Sequence, residues 1–449
     1  MFIHSNSTTK NCDGVLRRDF LKAGVLGIGG LTLPWLLEQK ARGSEAGYVR
    51  DKSVVLIYLG GGASHIETFN PNMAAPAPYS SITGAVKTNV SGIDIGGTFP
   101  RLAEHAHNMA IVRSFRHAVG NHDQAMCHVL SGGTDPNGQQ VQGFSLGSMY
   151  ARIRGTNHPV SGLPTYALLT HNHADGQYNR EMNRVMVGSR AGSLGTTYAP
   201  FNPSGGGVAL ENLMLNIPAD RLHERRTLGQ QLDQARRRAD SPAVRNRLSE
   251  FEQQATDLLL GGAGRALDLT REDRRLYDRY NTRQYQIGKK VFEPSILGEQ
   301  MLTARRLIQA GAGFVTVQSA GWDMHADGNN PSMVDGMNML GPTLDKALSA
   351  FLEDLAQRGM SDDVLTIVTG DFAVTKQPRL VCSGLPIQLN LRGSYFAAEG
   401  SIRGVVAKPL LNRPNTEPSR GVMAPNWLAS SRLPPLGTYW FTTLGWPGT

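Results

Sequence analysis

The chain has 449 residues, 40% hydrophobic and 18% charged, a balance that excludes a disordered or fibrous chain and leaves room for a large α/β core. Its formal net charge of +8 resides at the two ends. Residues 51–375 hold 30 Lys and Arg against 31 Asp and Glu, so the body lacks the clustered cations of a nucleic-acid-binding face. The three cysteines, Cys12, Cys127 and Cys382, include no C-x-x-C pair and define no disulfide framework.

The N-terminal stretch LRRDFLKAGVLGIGGLTLPWLL sets paired Arg17 and Arg18 ahead of a mild, glycine-rich apolar run. That order is the pattern of a twin-arginine export signal, and it predicts a signal and linker over residues 1–48. The expected partner is the twin-arginine export machinery, and the expected destination the periplasm or cell envelope. Ala23 to Leu37 is too short and too rich in glycine for a stable membrane span.

From residue 49 to 375 the pattern changes to short, continuous apolar runs, each followed by glycine or polar residues. Strands are predicted at 53–59, 109–113, 164–169, 313–318 and 364–369. Runs without alternation suit strands buried on both faces of a parallel sheet. A helical insertion is predicted over about 218–290, with a break at the GGAG of 261–264, and a further helix over 298–310. Leu344, Leu348, Phe351, Leu352 and Leu355 share one helical face that stops at Gly359. The alternation predicts one doubly wound α/β domain.

Ligands of such sheets bind beyond the carboxyl ends of the strands. Here those ends carry Ser64, His65 and Glu67 after the first strand, and Arg113, Arg116, His117 and His122 after the second. His171 and His173 follow the third, Asp323 and His325 the fourth, and Asp371 the last. Histidine with carboxylate is the donor set of zinc, manganese or iron, and carboxylates also suit calcium or magnesium. A lone exit-loop histidine is usually a hydrogen-bonded structural residue; its repetition at successive strand ends is what points to a site. Asp323 also fits a plain N-cap turn, and the THNH of 170–173 fits an ordinary polar loop. Gly60 to Gly62 lack the spacing of a dinucleotide-binding turn, which argues against a nucleotide-dependent oxidoreductase.

The segments LGGGASHIETFNP, GNHDQAMCHVLSGG, ARRLIQAGAGFVTVQSAGWDMHADGNN and LDKALSAFLEDLAQRGMSDDVLTIVTGDF together resemble the domain-of-unknown-function 1501 family, sulfatase-like proteins of the alkaline phosphatase superfamily. The resemblance implies an α/β/α sandwich with a mostly parallel sheet and a two-metal site that clamps a phosphate or sulfate ester. It implies Asp323 and His325 as a first metal pair and Asp371 as a second-site ligand, with His65 and Glu67 as further ligands. GNHDQAMCH resembles the loop GNSEVGH of cofactor-independent phosphoglycerate mutases and sets His122 where that loop has its nucleophilic serine; metal ligation and phosphoryl acceptance both remain open for it. Ser64 is a weaker nucleophile candidate, His65 would complete the site, and Arg113 and Arg116 could offset substrate charge. The implied function is an exported metal-dependent hydrolase of anionic esters, saccharide-linked ones included.

The sequence also departs from the family. Its GEFGRTP reads GDFAVTK here, no G-R-D-H-W segment follows, and His325 is the last histidine of the chain. No C-x-[PA]-x-R motif is present, which argues against a conventional sulfatase nucleophile. Residues 376–449 hold nine prolines and no aspartate, and read as a divergent tail, frameshifted or disordered. The competing reading is therefore a non-catalytic envelope or binding protein on a degenerate hydrolase scaffold.

Overall fold

The computed structural model describes residues 52–77, 79–113, 117, 119–133, 143–171, 175–204, 263–372 and 388–390. In chain order the elements are β1 (Ser53–Leu59), β2 (Ala85–Lys87), β3 (Asp94–Gly96), α1 (Pro100–Ala103), β4 (Met109–Ile111), α2 (His122–Leu130), α3 (Leu146–Arg154), β5 (Tyr166–Leu169) and α4 (Gly176–Gly188). They continue as α5 (Ala263–Leu267), α6 (Arg274–Tyr280), β6 (Gln286–Ile287), β7 (Glu293–Pro294), α7 (Leu297–Gln309), β8 (Phe314–Ser319), α8 (Met333–Gln357), β9 (Val364–Gly370) and β10 (Gln388–Asn390).

Four strands form a parallel sheet in the order β5-β8-β1-β9. The register sets Val55 beside Val315 and Thr366, and Tyr58 beside Gln318 and Thr369. Side chains alternate across a strand, so these two rows face opposite ways. The first face, with Val55, Ile57, Leu59, Val315, Val317 and Val368, packs into the main core with Leu307 of α7 and Leu348, Phe351 and Leu355 of α8. The second carries Phe314, edge-on to Tyr166 at 5.5 Å and tilted against Tyr150 of α3 at 5.9 Å. Helices thus cover both faces, which makes the fold an α/β/α sandwich and explains why β1 and β9 read as unbroken apolar runs.

Two sequence expectations change. β4 is not in the parallel sheet: three residues long, it pairs antiparallel with β10. The insertion is not purely helical where it is described. Ala263 and Gly264, expected in a break, open α5, and β6 and β7 pair as a hairpin. Residues 205–262, and the tail apart from 388–390, lie outside the described residues. α8 extends further than its apolar stripe suggested, beginning at Met333, where the Ser332 side chain accepts the Asp335 N–H, and running through Pro342. Among the described residues, no helix is long and apolar enough to cross a membrane.

α1 has no capping side chain of its own. Asp345 of α8 supplies one, accepting the Leu102 N–H at 2.8 Å and the Arg101 N–H at 3.2 Å. Burial is the chief cause that pushes its carboxyl from 3.8 up to about 6, against those two bonds and the Arg101 charge, with Glu104 adding to the rise. A folded-state pKa above the unfolded one means the native state holds the extra proton. Stability from this group is present below about pH 4 and is lost as pH rises through about 6, on the order of 3 kcal/mol in all. Asp345→Asn is expected to flatten that part of the profile. Urea midpoints of both proteins between about pH 4 and 7 check this, and parallel profiles would refute it.

Candidate metal centre

β1, β8 and β9 run parallel and end at the same edge, and the exits of β1 and β8 are tied together by backbone. The Gly60 N–H donates to the Ser319 carbonyl at 2.8 Å, and the Trp322 N–H to the Gly60 carbonyl at 3.0 Å. Gly61 has φ +101°, and a Cβ there would stand 2.8 Å from the Asp323 Cβ, so only glycine lets the two exits approach this closely. Trp322 is fully buried and donates through Nε1 to Ser319 Oγ at 2.9 Å, which fixes the turn that projects Asp323.

The third contribution comes from α2. Asn121 caps it by accepting the Asp123 and Gln124 N–H groups, so His122 occupies the first helical position. An ion pair between Arg184 of α4 and Asp123 pins the same turn. His122 Nδ1 lies 2.6 Å from Asp371 Oδ2, and its Nε2 lies 3.7 Å from Asp323 Oδ2. The other Asp323 oxygen is 2.6 Å from His325 Nε2. One ligand atom from each of His122, Asp323 and His325 falls within 4.8 Å of the others.

Asp371 stands behind this group. It is fully buried; Oδ1 accepts the Gly61 N–H at 2.8 Å and Oδ2 faces His122. With Nδ1 donating to that carboxylate, a neutral His122 keeps its lone pair on Nε2, the side facing Asp323. Asp371, which the resemblance implied as a metal ligand, thus meets the Gly61 N–H with one oxygen and the His122 ring with the other, a geometry that can orient that ring.

The other candidates separate in the same way. Glu67 faces its own loop: Oε1 accepts the Ile82 N–H at 2.9 Å, and Oε2 accepts Ser81 Oγ at 2.8 Å, the Thr83 N–H at 3.0 Å and Thr83 Oγ1 at 2.7 Å. It clasps that loop through both oxygens, and it does not belong to the three-residue group. Ser64 is buried and its Oγ accepts the Glu67 N–H at 3.4 Å, a turn-capping role. His65 follows it, its pKa lowered by burial, and does not belong to the three-residue group. Arg113 donates through Nη2 to the Phe69 and Asp94 carbonyls, at 3.1 and 3.4 Å. His171 is buried after β5, while Arg116 and His173 lie outside the described residues.

One carboxylate escaped the sequence reading. Glu181 of α4 is buried, its Oε2 accepts the Gly321 N–H at 2.8 Å, and Oε1 lies 3.1 Å from the Cβ position of Gly61. Burial, reinforced by the charges of Asp371 and Asp323, pushes its carboxyl well above the usual range. The signal was positional: Tyr178, Glu181 and Val185 form one buried helical stripe, which sets an acid among core residues.

A family described as "Protein of unknown function (DUF1501)" matches residues 51–378. The chain belongs to this family. No curated protein matches it by sequence. Among solved structures it is similar to the lipoteichoic acid synthase LtaP from Listeria monocytogenes, at 12% identity over 81% of this chain and 72% of that one, with a TM-score of 0.36. It is also similar to the PsFucS1 sulfatase from Pseudoalteromonas sp., at 12% identity over 76% of this chain and 59% of that one, with a TM-score of 0.30. The chain thus spans about three fifths of the sulfatase's length.

Proposed function

We propose that this member of the DUF1501 family is an exported metal-dependent hydrolase of phosphate or sulfate esters, with His122 Nε2, Asp323 and His325 as ligands of one divalent ion. The observation that carries the reading is the convergence of these three groups at the carboxyl ends of β1, β8 and β9, with Asp371 behind His122. The donor set fits: two imidazoles and one carboxylate suit zinc, iron or manganese, whereas calcium takes oxygen ligands alone. Three protein ligands also match a catalytic site, which keeps a position open.

When bound, the ion supplies a Lewis acid for the ester oxygen and acidifies water at neutral pH. The chain's own residues do the rest. Asp371 holds the His122 ring with Nε2 forward. Burial and the neighbouring charges of Asp371 and Asp323 push the Glu181 carboxyl toward its neutral form, which lessens repulsion of an anionic ester. Arg17 and Arg18 ahead of the apolar run support export by the twin-arginine route to the periplasm or envelope.

A second reading has its own observation: no histidine follows His325, and the family's late histidine segment is missing. A non-catalytic scaffold would follow from that loss. Elemental analysis of the purified protein separates the two. Near-stoichiometric zinc, iron or manganese, lost when Asp323→Ala and His325→Ala are combined, supports the hydrolase and justifies a screen of phosphate and sulfate esters. Metal-free protein in a folded sample refutes it.

The hydrogen bond to Asp323 raises the His325 pKa above 6.5, against burial, with the Asp323 and Asp327 charges adding to the rise. A ligating imidazole must lose its proton, so zinc affinity is expected to climb with pH through neutrality and level off only above that raised value. Each proton released allows up to about a tenfold gain per pH unit. Chelator competition between about pH 6 and 9 measures the slope, and a flat profile would remove His325 from the ligand set.

A further inference from the structure

We propose that His117 is a positioning residue for the metal centre, acting through Asp371 on the ligating edge of His122. The inference rests on the three-ligand reading above, but its geometry does not. His117 is buried, and its Nε2 lies 2.6 Å from the backbone carbonyl of Asp371. A carbonyl only accepts, so Nε2 carries the proton; Nδ1 accepts the Val119 N–H at 3.3 Å, which agrees with that tautomer. Both ring nitrogens are thereby committed, and the ring cannot flip without losing a bond at each end.

The chain of contacts continues outward without a gap. Asp371 offers its carbonyl to His117, Oδ1 to Gly61 and Oδ2 to His122, so its position is fixed from three sides. Phe372, the next residue, fills the space between the two imidazoles. Its ring lies 5.5 Å from that of His117 and 4.8 Å, edge-on, from that of His122. His128 of α2 backs His117 from another side, with ring centroids 5.5 Å apart. β9 ends at Gly370, and the His117 bond holds the Asp371 peptide just beyond the end of the strand. Outer partners of this kind change metal affinity by about 10–100-fold when removed.

Two polar variants test the assignment. In His117→Asn the short amide can still accept the Val119 N–H but cannot reach the Asp371 carbonyl. In His117→Gln the amide nitrogen extends to about where Nε2 stands. Zinc is the probe, with affinity measured by chelator competition on the full chain. His117→Asn is expected to bind zinc about 10–100-fold more weakly than wild type, and His117→Gln to recover most of that loss. A second readout needs no metal: in the metal-free protein the His122 Nδ1 proton, held by a buried carboxylate, should give a resolved downfield resonance. It should persist in His117→Gln and broaden or vanish in His117→Asn, with thermal unfolding showing that both variants fold. Wild-type affinity and an unchanged His122 resonance in His117→Asn would overturn the proposal, as would equal impairment of both variants. Should wild type hold no zinc, the three-ligand reading falls, and the proton resonance alone still decides whether His117 orients His122.

Discussion

Asp323→Ala is expected to lower zinc affinity by more than about a hundredfold, beyond the range of outer-shell changes, and to abolish ester hydrolysis. Asp323 is the hub of the group: one oxygen lies 3.7 Å from His122 and the other 2.6 Å from His325. Its loss takes away the only carboxylate of the three and the partner that holds the half-exposed His325 ring in place. Asp371→Asn should do less, about 10–100-fold, because it removes an orienter and leaves all three ligands. The fold should tolerate Asp323→Ala, since the turn is held by the buried Trp322 and by backbone bonds between Gly60, Ser319 and Trp322. The ranking is the test: if Asp371→Asn proves more damaging than Asp323→Ala, Asp371 is a ligand and the assignment must be redrawn.

Much of this site was legible because the chemistry lies next to the strands that deliver it. The runs VVLIYL, FVTVQS and VLTIVTG announce strands buried on both faces, and the residues after them are the ones a parallel sheet offers to a ligand. Asp323 and His325 follow directly from that logic. His122 arrived for a different reason. Its preceding strand, Met109–Ile111, lies outside the parallel sheet, and the N-terminus of α2, capped by Asn121, brings the imidazole to the edge. A three-residue apolar run says that a strand exists but not which neighbour it takes.

What stayed hidden were the partners that decide a residue's role. Glu67 and Asp371 look alike in sequence, each an acid just past a strand. One meets donors from residues 81–83 and the other faces a histidine 249 positions away. Residue type sets what a side chain can do; the number of donors that reach it sets what it does, and that number depends on loop closure, which leaves no periodic trace. Glu181 was missed for a related reason: on a helix of mixed polarity an acid reads as solvated until the buried stripe through Tyr178 and Val185 is laid beside it.

Away from the site, the largest stability effect is expected from Arg305→Ala, a loss of about 3–5 kcal/mol. Arg305 of α7 is almost fully buried and holds Glu272 Oε2 at 2.5 Å, Asp354 Oδ2 of α8 at 2.8 Å and Gln309 Oε1 at 2.7 Å. Its carboxylate partners are shared: Arg306 reaches Glu272 at 2.6 Å, Arg358 reaches Asp354 at 2.7 Å, and the Tyr280 hydroxyl donates to Asp354 at 3.1 Å. Alanine would leave Asp354, itself buried, with half of its positive charge removed and a cavity beside it. Breaking one side of such a network costs more than deleting it whole, because the stranded charge keeps its desolvation penalty. Arg305→Met combined with Asp354→Leu should therefore be less destabilising than Arg305→Ala alone. The exposed Arg274–Asp278 pair on α6 gives the contrast, since its removal should change stability by less than about 1 kcal/mol. Guanidinium unfolding of the four proteins reads all of this at once. If Arg305→Ala unfolds no more readily than the Arg274 variant, α7 and α8 are held against the sheet by apolar packing alone, and the ion network contributes nothing to the fold that carries the site.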